Sequence, residues 1–151
     1  MNVEIRQTHP KKVLCMTHRG PYNLIGETFQ RFGPWAKSEG IRTEAYVGIY
    51  YDDPTSTPPD ELRADAGAFV DMDFTIDNPS VHIVNIPAGT FAIYTHVGSY
   101  DLIGNSWQKF MAWFATSGYQ YGSFPSYEIY VDDCDDTPVE HLQTELFISI
   151  G

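Results

Sequence analysis

Thr95-His96-Val97-Gly98-Ser99-Tyr100-Asp101-Leu102-Ile103-Gly104 repeats a segment met 78 residues earlier, Thr17-His18-Arg19-Gly20-Pro21-Tyr22-Asn23-Leu24-Ile25-Gly26. The correspondence continues outward: Phe29 meets Trp107, Phe32 meets Phe110, Trp35 meets Trp113 and Gly40 meets Gly118. After a two-residue insertion the offset becomes 80. Tyr50-x-Asp52-Asp53 then meets Tyr130-x-Asp132-Asp133, Thr57-Pro58 meets Thr137-Pro138, and Leu62 meets Leu142. The 151-residue chain therefore reads as two copies of one module, about residues 1–78 and 79–151, within a length that suits a single domain.

Each module reads alike. An opening strand (12–17; 90–96) is β-branched or aromatic and alternating, and a Gly-x-Tyr turn leads into a helix. In the second copy Asp101 is the expected N-cap, and Ile103, Trp107, Phe110, Met111 and Phe114 form one helical face that ends at Gly118. In the first copy Ile25, Phe29, Phe32 and Ala36 form the matching stripe, with a kink expected at Gly33-Pro34 because proline lacks the helical donor. Middle strands (46–51; 126–131) and closing strands (68–74; 143–150) follow. Between them Thr57-Pro58-Pro59-Asp60 and Thr137-Pro138-Val139-Glu140 read as capping boxes of one short turn each. Residues 3–8 and 81–87 serve as lead-in strands. The expected fold is α+β: two pseudo-twofold-related β-α-β-β modules with antiparallel sheet and two long helices.

The net charge is −11, and it is uneven: residues 1–42 hold seven of the nine Lys and Arg, leaving Arg63 and Lys109 for all the rest. An acidic surface repels phosphate backbones, so no direct nucleic-acid partner is expected. No apolar run reaches membrane-span length and no signal-peptide pattern opens the chain, so no membrane partner and a cytoplasmic location are expected. Cys15 and Cys134 lack zinc-type spacing, and no disulfide is expected between them. Asp132-Asp133-Cys134-Asp135-Asp136 lacks the order of a calcium loop and reads as solvated; no metal site is expected. Glycine-rich phosphate loops and a nucleophile elbow are absent, so neither a cofactor nor a catalytic set is expected. His18 and His96, at equivalent strand ends, suggest a shared structural hydrogen bond rather than acid–base chemistry.

One substitution between the copies points to function. Tyr46-Val47-Gly48-Ile49-Tyr50 becomes Ser126-Tyr127-Glu128-Ile129-Tyr130, so Glu128 stands where the first copy has Gly48. In a strand its face is shared with Ser126 and Tyr130. A buried carboxylate needs a proton or a cation, and burial raises its pKa until a cation arrives; the alternative is a solvent-exposed strand glutamate. Tyr46, Tyr50 and Tyr130 lie on the equivalent strand face, Tyr94 lies on an opening strand, and Trp35 and Trp113 flank their helical stripes. These aromatics are candidates for pocket lining, with core packing as the alternative for each. Trp107, at the stripe centre, reads as core.

Gly20-Pro21-Tyr22, Tyr50-Tyr51-Asp52-Asp53-Pro54 with Thr57-Pro58, Ala88-Gly89-Thr90-Phe91-Ala92, and Phe124-Pro125-Ser126-Tyr127-Glu128-Ile129-Tyr130 cover nearly the whole chain in order. On these the chain resembles the GyrI-like small-molecule-binding family, the effector-binding domain of Rob-type and BmrR-type regulators. The resemblance implies one domain with paired modules around a central cleft, and Glu128 as the glutamate that meets cationic lipophilic molecules. With no helix-turn-helix ahead of it, the chain resembles the stand-alone gyrase-inhibitor branch. Three readings follow. A non-enzymatic binder of cationic hydrophobic compounds leads; a DNA gyrase inhibitor acting by protein contact is second. A hydrolase of cyclopropane-bearing electrophiles, with Glu128 as general acid or base, is third.

Overall fold

The computed structural model describes residues 1–151. Its main elements are β1 (Val3–Thr8), β2 (Lys11–Arg19), α1 (Ile25–Ser38), β3 (Tyr46–Tyr50), β4 (Arg63–Val70), β5 (His82–Ile86), β6 (Gly89–Val97), α2 (Ile103–Thr116), β7 (Ser126–Tyr130) and β8 (Gln143–Ile150). All named pairings are antiparallel, and the α+β class expected from the sequence is the class observed. Neither helix is long and apolar enough to cross a membrane.

The chain forms two compact units, Met1–His9 with Ala88–Gly151, and Pro10–Pro87. These are not the contiguous repeats. Strand β1 pairs with β6 of the second repeat, and β5 pairs with β2 of the first. A physical reason lies in the connections. Strands this closely spaced in sequence pair with each other through turns that need a residue at positive φ, but β1 meets β2 through His9-Pro10 and β5 meets β6 through Pro87-Ala88. None of these residues adopts positive φ, so each lead-in strand runs on instead of folding back.

In the Glu128 unit the strand order is β1-β6-β8-β7, with α2 on one face. Ile103, Phe110 and Phe114 recur at helical spacing and pack on Ala92, Leu146 and Ile148. On the opposite face Tyr127 and Phe147 stack at 4.5 Å and Phe91 meets both edge-on. The other unit, ordered β3-β4-β2-β5, repeats the construction: Phe32 and Ala36 of α1 pack on Leu14, Met16, Ala68 and Val70. Each full burial of such a side chain contributes about 1.5–3 kcal/mol.

The local punctuation differs from expectation in three places. Helix α2 is entered through a 3-10 turn, Tyr100–Leu102, whose cap is Ser99, accepting from the Asp101 amide at 3.2 Å; Asp101 is inside the turn and caps nothing. The proline loops do make one short turn each, at Pro59–Glu61 and Val139–His141, but the cap positions are Pro58 and Pro138, and no threonine side chain caps them. Helix α1 is continuous from Ile25 to Ser38 with Pro34 inside it, so the proline does not end the helix. Gly33 beside it has a packing role: a Cβ there would lie 2.7 Å from the Tyr46 hydroxyl. Finally, β4 spans Arg63–Val70 rather than 68–74, which is where the offset of 80 from β8 places it. Gly40 and Gly118 sit just past the two helices at φ +68° and +86°, the left-handed stop that both copies share.

Candidate functional site

The register of the Glu128 unit assembles the site. Glu128 lies opposite Leu146, which lies opposite Tyr94, which lies opposite Val3, so one row crosses all four strands on the α2 face. Two residues along, Tyr130 lies opposite Thr144 and Thr144 opposite His96. Glu128 is 2% exposed, which removes the solvent-exposed alternative.

Its carboxylate is held by aromatic donors. The Trp107 indole Nε1–H donates to Oε1 at 2.7 Å, and the Tyr130 hydroxyl donates to Oε2. Both donors are neutral, so they fix the orientation of the carboxyl group by hydrogen bonding. Rings continue on either side: Tyr100 meets Tyr130 edge-on at 5.3 Å, and Trp107 stacks on Phe110 at 5.9 Å. Phe110 in turn contacts Tyr94 at 5.9 Å and Trp113 at 6.2 Å. Burial, aided by the nearby Cys134, Asp132 and Asp133, pushes the Tyr100 phenol up to about 12, so it stays a neutral ring at physiological pH. The arrangement is a buried carboxyl group in an aromatic setting.

Of the residues singled out in the sequence, Glu128, Tyr130 and Tyr94 lie in these rows, and Trp113 joins through Phe110. Tyr46, Tyr50 and Trp35 belong to the other unit, where Tyr46 packs on Phe29 at 5.7 Å, Tyr50 on Tyr22 at 4.7 Å, and Trp35 on Phe32 at 6.3 Å. Trp107 corrects the expectation: it is half-buried and bonded to Glu128, not a simple core residue. The signal was in the repeat, since the copy with Gly48 has Phe29 at the equivalent position, so glutamate and indole change together. Thr144 was also missed. Its hydroxyl is fully buried with no hydrogen-bond partner, and the equivalent residue in the other copy is Ala64.

His18 and His96 each make the shared hydrogen-bond pattern expected of them. His18 Nε2 lies 3.0 Å from the Pro21 carbonyl and Nδ1 lies 2.8 Å from the Thr28 hydroxyl; His96 repeats this with Ser99 at 2.9 Å and Ser106 at 2.7 Å. A carbonyl only accepts, so Nε2 carries the proton and, in the neutral ring, Nδ1 accepts the hydroxyl. The acidic loops use their carboxylates on their own backbone: Asp132 accepts from the Gln143 amide at 2.7 Å, and Asp133 from the Asp135 amide at 2.9 Å.

The family model for the GyrI-like small molecule binding domain matches residues 1–150. A DNA gyrase inhibitor of Serratia proteamaculans is 30% identical over 143 residues, covering 89% of this chain and 90% of that protein. Among solved structures, the EcmrR C-terminal domain superposes with a TM-score of 0.82 at 19% identity, covering 99% of this chain and 97% of that one. SAV2435 bound to tetraphenylphosphonium gives 0.73 at 12% identity, covering 100% and 94%.

Proposed function

This chain belongs to the GyrI-like small-molecule-binding family, and we propose that it binds lipophilic organic cations at Glu128. The observation that carries this reading is Glu128 itself, 2% exposed and oriented by Trp107 and Tyr130, whose rings in turn meet Phe110 and Tyr100. A cation about 4 Å from such a carboxylate gains about 4 kcal/mol at an effective dielectric of about 20. Each aromatic face that it reaches adds about 0.5–2 kcal/mol. A delocalised cation suits the site because its charge costs little to desolvate while its hydrocarbon prefers the rings. The tetraphenylphosphonium in the similarly folded SAV2435 is a ligand of this chemistry.

The test is a tryptophan fluorescence titration with tetraphenylphosphonium and rhodamine 6G, run on the wild type and Glu128→Gln. Saturable quenching that weakens tenfold or more in the variant, about 1.4 kcal/mol or more, is the expected result. Equal affinity in the two proteins, or no binding by the wild type, would overturn the reading.

A second reading, inhibition of DNA gyrase through protein contact, is favoured by the relatives that carry that name. Fold alone does not transfer this activity. A supercoiling assay with both proteins separates the readings: inhibition that survives Glu128→Gln would belong to a surface other than the cation site.

A further inference from the structure

On the face of the Pro10–Pro87 unit turned away from α1, three side chains of different donor chemistry converge. Cys15 on β2 lies directly opposite His82 on β5, and Asp65 on β4 lies two residues from Cys15's other partner, Gly67. All three therefore share one face of the ladder. The Cys15 sulfur, an Asp65 oxygen and a His82 nitrogen lie within 4.8 Å of one another. Cys15 is fully buried and Asp65 is 5% exposed, while the His82 side chain is 42% exposed and leaves the cluster open on its side. Asp65 is already oriented: its Oδ2 accepts the Tyr51 hydroxyl at 2.5 Å and its Oδ1 lies 2.9 Å from His82 Nε2.

We propose that Cys15, Asp65 and His82 form a binding site for a single zinc-like divalent cation, with the fourth coordination position open on the His82 side. One sulfur, one nitrogen and one oxygen donor suit a borderline-soft, tetrahedral ion better than magnesium or calcium, which take oxygen alone. Charge supports the assignment. A thiolate and a carboxylate balance a divalent ion with neutral imidazole, so the filled site is electroneutral where an isolated charge would be costly. Tetrahedral zinc holds its ligand atoms about 3.4 Å apart, so an edge of up to 4.8 Å closes by up to about 1.4 Å while the 2.9 Å Asp65–His82 edge opens by about 0.5 Å, and the half-exposed His82 is the side chain with room to move.

The duplication supplies an internal comparison. At the equivalent positions the Glu128 unit has Ile93 for Cys15, Glu4 for His82, Glu145 for Asp65 and Val131 for Tyr51. The scaffold does not require these donors, and one copy alone carries this set of three together with the tyrosine that orients Asp65. Without metal, burial, with a contribution from Asp65, holds the Cys15 thiol protonated, and the thiol donates to the Val13 carbonyl at 3.7 Å. Binding therefore releases the thiol proton to solvent, as metal sites with cysteine ligands do.

The test is titration of the full-length, chelator-stripped and reduced protein with cobalt(II), followed by displacement with zinc(II). One equivalent of cobalt should give a thiolate-to-metal charge-transfer band and the intense visible bands of a four-coordinate site, with proton release. Cys15→Ser should abolish the charge-transfer band. His82→Gln, which keeps an amide donor for Asp65 but removes the imidazole, should weaken uptake tenfold or more while circular dichroism stays unchanged. Cys134→Ser should change neither signal. The proposal is overturned if folded wild type shows no charge-transfer band, or if the band is lost in Cys134→Ser and kept in Cys15→Ser. Should Cys15→Ser fail to fold, His82→Gln decides alone: unchanged uptake overturns the site.

Discussion

Replacing Trp107 by phenylalanine isolates the contact on which the Glu128 site is built. The indole Nε1–H donates at 2.7 Å to a carboxylate that is 2% exposed. A hydrogen bond contributes about 0.5–1.5 kcal/mol net, and about 1.5–3 kcal/mol where the acceptor is charged. The smaller ring gives up on the order of 40 Å² of buried apolar surface, about 1 kcal/mol. Trp107→Phe should therefore destabilise the protein by about 1.5–4 kcal/mol at neutral pH. Phenylalanine itself fits this place in the fold, because Phe29 occupies it in the other copy. The cycle with Glu128→Leu separates the two parts: without a carboxylate, Trp107→Phe should cost only the packing share. Urea denaturation read by far-ultraviolet circular dichroism is the assay, since the change removes one of three tryptophans and confounds fluorescence. The m-values should remain equal across the four proteins. A coupling energy below about 0.5 kcal/mol, the level found between independent sites, would refute the argument that this bond holds the carboxylate in place.

Three further outcomes follow from the same geometry. The Thr144 and Tyr127 hydroxyls are buried without partners, so Thr144→Val and Tyr127→Phe should leave the urea midpoint unchanged or raise it, against the usual loss of about 1 kcal/mol for a core substitution; a loss of more than about 1 kcal/mol in either would refute this. Gly33→Ala should gain about 1 kcal/mol of helix propensity in a Tyr46→Phe background, where the hydroxyl at 2.7 Å is gone, and gain less or nothing in the wild type; equal effects in both backgrounds would show that the hydroxyl does not crowd the helix. Arg63 and Thr55 hold the Asp52 and Asp53 carboxyls below their usual range. The stabilisation they give is thus complete above about pH 4 and is lost as pH falls through the lower folded values. Asp52→Asn should flatten the acid branch of the stability profile, and an unchanged branch would count against it.

Sequence alone determined the construction of the module. The two copies repeat turn for turn from Thr17 and Thr95, and strands and helices are local outcomes of side-chain alternation, helical spacing and glycine stops such as Gly40 and Gly118. It also singled out Glu128, because a charge replacing Gly48 in an otherwise repeated strand has no reason in the scaffold. Tertiary structure decided what those residues meet. Pairing partners are non-local: nothing in Val3–Thr8 by itself states that it joins β6 rather than β2, and that choice fixes which residues share a compact unit. Trp107 looked like core because helical spacing reports the buried side of a helix, not whether an indole N–H on that side faces a carboxylate 21 residues away in sequence. Cys15, Asp65 and His82 were invisible as a group for the same reason. They come from three strands, with Asp65 50 residues beyond Cys15 and His82 17 further on. Only the pairing of β4, β2 and β5 in this register turns their side chains to one face; the hydrophobic pattern of each strand sets which of its residues face the core, but not which strands lie beside it.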